Sequence, residues 1–264
     1  MADISYEPII DEMTWSYSRV KAFDMCPYMW YLKYIRKLPG KEMFFSSYGS
    51  FIHKIIEMYY KGELAKSQLL YYYLTEFKKN VTARAPNPKI FKKYFQDGIE
   101  YFKNFEPLPY EDPEIEQKVD GEIGGIRFTG VIDYKAEDEN GVVIMDNKSR
   151  TLKPRSKRKI PTKTDEELDK YLQQLYLYSY LVETNDKKPI SCLGFNCFRC
   201  NPPIIKEPFV QEKADLAVKW LCDNVERIKK EAEFNPDMDF FKCKNLCDMH
   251  DHCEYFQMTW GDEK

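Results

Sequence analysis

The sequence predicts an α/β domain, a central sheet flanked by helices, and three observations carry that prediction. Apolar residues recur at helical spacing towards both ends of the chain. After Pro107, Pro109 and Pro113 the pattern changes to short alternating runs with glycines. The 264 residues, 43% hydrophobic and 16% aromatic, suffice for one sizeable core. No internal repeat or linker divides them. Residues 1–264 are therefore expected to form a single domain, mainly helical over 16–110, with a sheet core over 114–200 and a C-terminal helix and cysteine-rich segment over 201–264.

Residues 16–34 place Val20, Phe23, Trp30 and Tyr34 near helical spacing, with Ser16 or Ser18 as the cap and Pro27 as a break or restart. Residues 49–60 put Phe51, Ile52, Ile55, Ile56, Tyr59 and Tyr60 on an apolar stripe with His53 and Glu57 beside it, and Gly62 ends that helix. Residues 63–105 continue as helix, interrupted around Pro86 and Pro88; their Lys and aromatic residues suit an amphipathic surface, or base stacking. Strands are expected over 114–119, 126–135 and 142–148, the last two joined by a tight hairpin at Asn140-Gly141. A helix over 168–182, a strand over 190–200 and a helix over 214–234 complete the order.

Forty basic against 43 acidic residues give a net charge of −3, which argues against general nucleic-acid binding. The distribution is uneven. Residues 148–163, KSRTLKPRSKRKIPTK, contain eight Lys or Arg and no acid, leaving 32 basic against 43 acidic elsewhere. Such a strip is either a solvated loop or a phosphate-binding surface. No apolar run is long enough for a membrane span, and the start MADISYEPIIDE is acidic rather than basic and then apolar. A cytoplasmic protein without membrane partners is expected, whose eight cysteines stay reduced as core residues, metal ligands or catalytic groups.

In a strand, Asp146 and Lys148 of IMDNKSR share a face, and the hairpin can bring Asp133 of GVIDY across to Asp146. Neighbouring carboxylates repel, and a hard divalent cation is the usual reason to collect them; Lys148 can then hold or help activate a water. Taken singly, Asp133 could serve the turn and Asp146 with Lys148 a solvated strand edge. Glu116, at the start of the first strand, reads as a surface carboxylate, with a further acidic contribution to the site as the alternative.

GVID, a hairpin and then D-x-K resemble the core of the PD-(D/E)XK nuclease superfamily, and further segments resemble its RecB-like branch. YGSFIHKIIE is similar to that branch's helical histidine motif, and QLYLY, with Gln174 and Tyr178 at i and i+4, to its Q-x-x-x-Y motif. The resemblance implies a restriction-endonuclease-like core with a mixed sheet. It also implies one or two Mg2+ or Mn2+ ions held by His53, Asp133, Asp146 and the Asn147 carbonyl, with Lys148, Gln174 and Tyr178 completing the catalytic group. The implied activity is a DNA exonuclease acting on ends or single strands, with Arg150, Lys153, Arg155, Lys157, Arg158, Lys159 and Lys163 along the DNA backbone. Polarity does not follow. Recombination and repair, phage DNA processing or CRISPR adaptation are contexts such a chain could serve, with recombination, replication or CRISPR adaptation proteins as partners. A catalytically idle, metal-stapled DNA-binding or scaffold protein is the alternative.

Cys192, Cys197, Cys200 and Cys222 lie in apolar segments, although Cys197-Phe198-Arg199-Cys200 is a C-x-x-C that could bind metal on its own. Cys243, Cys247 and Cys253 crowd a polar segment and lack a fourth thiolate nearby. SYSRVKAFDMCPYMWYLKYI resembles the N-terminal cysteine motif of iron-sulfur nucleases in the same branch, such as the AddB subunit and the CRISPR-associated exonucleases. By that resemblance Cys26 joins Cys243, Cys247 and Cys253 around a 4Fe-4S cluster. The spacing here, C-x3-C-x5-C, departs from the family's C-x2-C-x5-C, and zinc with His250 or His252 is the rival.

Overall fold

The computed structural model describes residues 6–261; residues 1–5, part of the acidic start, and 262–264 lie outside the described residues. The chain begins with α1 (Glu7–Asp11), α2 (Tyr17–Met25) and α3 (Pro27–Trp30). Ser16, rather than Ser18, caps α2, its hydroxyl accepting from the Arg19 N–H at 3.2 Å. Pro27 restarts the helix rather than ending it, because at the first helical position its missing N–H is not needed. A helical lobe follows, built from α4 (Phe44–Tyr60), α5 (Leu69–Asn80) and α6 (Pro88–Lys103). The stripe expected over 49–60 extends five residues further back, since Phe44 and Tyr48 also enter the apolar core of this lobe. The helix expected over 63–105 divides at the predicted interruption, where Asn87 caps α6 with Pro88 following it.

The sheet comprises β1 (Glu114–Ile123), β2 (Ile126–Asp138) and β3 (Gly141–Lys148), then after α7 (Lys163–Asp186) β4 (Ile190–Cys197) and β5 (Ile204–Pro208). Among the described residues these five strands lie in sequential order, all neighbours antiparallel except β3 and β4, which α7 joins as a parallel crossover. The strand expected over 190–200 stops at Cys197, and the chain turns back as β5, a strand too short to show an alternating pattern. Gly124 and Gly125 make the β1–β2 turn at φ +57° and +78°, a left-handed pair that a two-residue hairpin requires. The β2–β3 hairpin is tight as predicted, but its two loop residues are Glu139 and Asn140, since Gly141 already pairs with Asp138, whose carboxylate accepts from the N–H groups of Asn140 and Gly141.

Helix α8 (Gln211–Lys229) packs beside α7 and against α2, so the sheet core extends to the N-terminal helices. The last elements, α9 (Phe240–Asn245) and α10 (Glu254–Trp260), return the C-terminus to α2 and α3. The ladder between β2 and β3 ends at Tyr134–Met145; further along β2, the backbone of Trp15 bonds to Arg127 and Thr129 and docks the N-terminal segment. No described helix is long and apolar enough to cross a membrane.

One close approach fixes α7 on β2. A methyl group at Gly130 would overlap the Tyr178 ring, which lies over the strand at that point. Replacing Gly130 by Ala is expected to cost about 1–3 kcal/mol by overpacking. Urea denaturation should show a lower midpoint at unchanged slope; an unshifted midpoint would mean that Tyr178 has room to move.

Candidate active site

Both hairpins have two-residue loops, so residue numbers facing each other on neighbouring strands have a constant sum. Glu114 faces Lys135 and Gln117 faces Ile132, which sets Glu116 opposite Asp133; Tyr134 faces Met145, which sets Asp133 in line with Asp146. Three carboxylates from three strands therefore occupy one row. At this row the ladder gives way, and the Asp133 carboxylate, rather than a carbonyl, accepts the Asn147 N–H at 2.7 Å.

The third turn of α4 brings His53 down onto the row. Its Nδ1 is 3.5 Å from Asp133 Oδ2 and its Nε2 is 3.0 Å from the Asn147 carbonyl oxygen. Ligand atoms of His53, Glu116 and Asp133 lie within 4.8 Å of one another, the only such trio of His, Cys, Asp or Glu among the described residues. Glu116 is thus a site residue and not a surface carboxylate. It holds φ +55°, a left-handed conformation rare inside a strand for a residue with a side chain.

Asp146 is 4% exposed and stands beside this trio rather than within it. Its Oδ1 accepts from Gln174 Nε2 at 3.0 Å, and its Oδ2 is 2.6 Å from Lys148 Nζ. That ammonium lies outside hydrogen-bonding angles, so the buried Oδ2 has no hydrogen-bond partner. Lys148 instead donates to Gln174 Oε1 at 2.9 Å, and Gln174 Nε2 reaches the Tyr178 hydroxyl at 3.0 Å. One helix face thus ties Gln174 and Tyr178 to the acid and the amine of D-x-K, the i, i+4 pairing expected from their spacing.

Burial, and then the Asp146 charge, push the Asp133 pKa well above the usual carboxylate range; burial and Glu57 push Glu116 up as well. Burial pushes His53 down, towards the neutral imidazole that a metal ion requires. Carboxylate oxygens that repel one another and one neutral imidazole are a donor set suited to a hard divalent cation.

The basic strip divides. Lys153, Lys157, Arg158, Lys159 and Lys163 are exposed. Arg150 pairs with Glu167 at 3.2 Å and lies over the Tyr171 ring. Arg155 is bonded to Asp169 and Glu207 at 2.6 and 2.5 Å, so its guanidinium holds the loop to α7 and β5 instead of facing solvent.

Away from this site, Cys26, Cys243, Cys247 and Cys253 line one cavity with Met25, Met29 and Phe256. Cys26 caps α3, and its sulfur accepts from the N–H groups of Met29 and Asp237, each at 3.4 Å. Burial raises the Cys243 and Cys253 thiols and pushes Cys247 up to about 12. No three of these sulfurs lie within 4.8 Å of one another, whereas Zn–S bonds of about 2.3 Å set the sulfurs of a tetrahedral site about 3.8 Å apart. His250 is engaged through Nδ1 with the Cys247 carbonyl and through Nε2 with Asp251, and His252 Nε2 with the Pro39 carbonyl.

The chain is similar to a solved structure of a candidate exonuclease from Eubacterium rectale. Identity is 15% and the TM-score 0.53, over 98% of this chain and 97% of that one, which shows a shared fold. A second structure, of SSO0001, at 16% identity and a TM-score of 0.35 over 89% of this chain and 84% of that one, carries no further weight. No curated protein matches. The PD-(D/E)XK nuclease superfamily matches residues 14–254, which include every residue of the candidate site and the four clustered cysteines. With a mixed five-stranded sheet whose β2–β3 hairpin carries Asp133, Asp146 and Lys148, the chain belongs to the PD-(D/E)XK nuclease superfamily.

Proposed function

We propose that this nuclease is a divalent-metal-dependent DNA exonuclease of the RecB-like, iron-sulfur kind, hydrolysing phosphodiester bonds at DNA ends or in single strands. The observation that carries the reading is the meeting of His53, Glu116 and Asp133 at the Asn147 carbonyl beside D-x-K, with Lys148 held between Asp146 and Gln174.

His53, Asp133, Asp146 and the Asn147 carbonyl would hold Mg2+ or Mn2+, and Glu116 joins them as a further donor. When bound, such an ion supplies Lewis-acid polarisation of the phosphodiester and lowers the pKa of a coordinated water. Lys148 places a positive charge beside Asp146, where it can orient the attacking water and offset charge on the phosphorane-like transition state. Gln174 fixes that ammonium and the Asp146 carboxylate together, and Tyr178 fixes Gln174. Lys153, Lys157, Arg158, Lys159 and Lys163, which follow the site in sequence, are placed to hold a DNA backbone without selecting bases.

The four thiolates would hold a 4Fe-4S cluster that staples the two ends of the chain. Their apolar surroundings and the N–H groups directed at sulfur favour the cluster over zinc. Metal binding there would contribute directly to folding.

Three outcomes test these assignments. Lys148→Ala should reduce cleavage of end-labelled DNA in Mn2+ by at least about a hundredfold, with DNA affinity in EDTA close to that of the parent; full activity would remove Lys148 from the reaction. Because the Asp133 pKa is raised in the folded chain, its charged form destabilises the metal-free protein as pH rises through that pKa. Asp133→Asn should therefore raise the melting temperature in EDTA at neutral pH, by about 2–4 °C per kcal/mol relieved, lose that advantage in mild acid, and gain nothing from Mn2+; a lower melting temperature at neutral pH would refute the repulsion. Finally, anaerobically purified protein should be brown, with broad absorption near about 400 nm and four iron per chain. Cys26→Ser should lose iron and melt lower, and wild-type iron content in that variant would exclude Cys26 as a ligand.

A further inference from the structure

The C-x-x-C at the end of β4 is not part of either metal site. Cys197 and Cys200 bring two sulfurs together, and among the described residues no third His, Cys, Asp or Glu atom completes a ligand group with them, which sets aside the reading of this pair as a metal site. We propose that Cys197 and Cys200 are a reversible dithiol–disulfide pair, oxidised by hydroperoxides, that switches the nuclease site described above.

The geometry admits the bond. The Cys200 N–H donates to the Cys197 carbonyl at 3.0 Å, closing a tight turn. Such turns hold their end Cα atoms within about 7 Å, and disulfides span about 4.4–6.8 Å between Cα atoms. The two residues also divide the roles that a peroxide sensor needs. Cys197 is fully buried, whereas Cys200 is partly exposed and lines an open surface cavity of about 470 Å3 with Asp97, Glu100, Tyr101 and Asn104. A hydrogen bond from the Cys197 thiol, with Arg199 nearby, lowers the Cys200 pKa, so the reactive thiolate forms when Cys200 gives up the proton that its thiol otherwise shares with the Leu152 carbonyl.

The chemistry balances in two steps. The Cys200 thiolate attacks one oxygen of H2O2, breaking the O–O bond, giving the sulfenic acid and releasing hydroxide. The Cys197 thiol then attacks the Cys200 sulfur, forming the S–S bond and releasing water, with the peroxide reduced and two thiols oxidised. Thiol reductants reverse it by exchange.

Cys197, Phe198 and Cys200 connect this turn to the catalytic row and to the segment that follows it. Cys197 faces Lys148 across the β3–β4 ladder. The next residue, Phe198, donates its N–H to the Lys148 carbonyl at 3.0 Å and sets its ring edge against His53, with centroids 5.5 Å apart. The Cys200 thiol donates to the Leu152 carbonyl at 3.3 Å, tying the start of the basic segment to the same turn. A disulfide removes that donor and re-forms the turn that supports Phe198. Displacements of about 1 Å at a catalytic group can cost about a hundredfold in rate.

The test uses the intact protein, treated with H2O2 and then alkylated. Trypsin cuts after Arg199, between the two cysteines, so an oxidised pair joins peptide 188–199 to peptide 200–206, with fragment ions placing the bridge on Cys197 rather than Cys192. We expect this linked pair to form, to disappear with dithiothreitol, and to track a loss of DNA cleavage of at least about tenfold that reductant restores. Cys200→Ser should cleave as the reduced parent does and resist peroxide. Alkylated, unlinked Cys197 and Cys200 after oxidation would overturn the proposal. So would equal peroxide sensitivity in Cys200→Ser, which would place the loss in the four-cysteine cluster. The coupling rests on the proposed nuclease activity, but the linked peptides do not: reduced protein that fails to cleave DNA refutes that activity, and cleavage that is unaffected by the linked state refutes the switch.

Discussion

Like charges held side by side under burial are the constraint around which the rest of this protein is arranged. Glu116, Asp133 and Asp146 come from three adjacent strands and stand in one row, with Asp133 and Asp146 largely removed from water. In a low-dielectric site such repulsion is strong, and the chain answers it only in part. The Asn147 N–H satisfies one oxygen of Asp133, Gln174 one oxygen of Asp146, and Lys148 supplies a single cation. Donor atoms of Glu116, Asp133 and His53 are left close together, with the Asn147 carbonyl beside His53. Charges placed this way and left undercompensated are the arrangement that a bound cation would relieve.

Keeping that row in place falls to elements far from it in sequence. His53 depends on α4, and α4 is entered through a linker that the C-terminal segment holds: the Lys41 N–H donates to the Asp248 carbonyl, Lys33 pairs with the Asp248 carboxylate, and His252 lies on the Pro39 carbonyl. These contacts come from the same segment that brings Cys243, Cys247 and Cys253 to Cys26. A group bound by the four sulfurs would therefore steady both chain ends and the approach to the histidine helix. That is a structural reason for a cysteine cluster in a hydrolytic protein, and it requires no electron transfer.

Much of this was legible in the sequence, and the losses have identifiable causes. Asp133, Asp146 and Lys148 were found because strand periodicity and the Asn140-Gly141 turn are local signals. Glu116 was ranked first as a surface carboxylate although the same arithmetic places it in the row: Gly124-Gly125 makes the first hairpin a two-residue one, and counting back from it sets residue 116 against residue 133. Its left-handed backbone, by contrast, has no sequence signature. The extension of α4 to Phe44 was hidden because Phe44 and Tyr48 are buried by the helical lobe, a tertiary effect. The partners of Arg155 were also out of reach, since Asp169 lies on the following helix and Glu207 on a strand too short to recognise.

Those partners alter what a basic segment means. A flexible strip of eight cations would bind polyanions loosely, and its ordering on DNA would carry an entropic cost. Here Arg155 is fixed by two carboxylates, and the buried Asp165 accepts from the backbone N–H groups and hydroxyls of both Ser156 and Thr162, capping α7 while it holds the loop. The chain between these anchors is short, so Lys157, Arg158 and Lys159 project from a frame tied to the helix that carries Gln174 and Tyr178. Charges mounted on such a frame can set the distance between a bound phosphate backbone and the carboxylate row, which loose charges cannot. With Arg155 held in the frame, fewer cations would be available to a bound phosphate backbone, but the remaining ones keep a defined position relative to the carboxylate row.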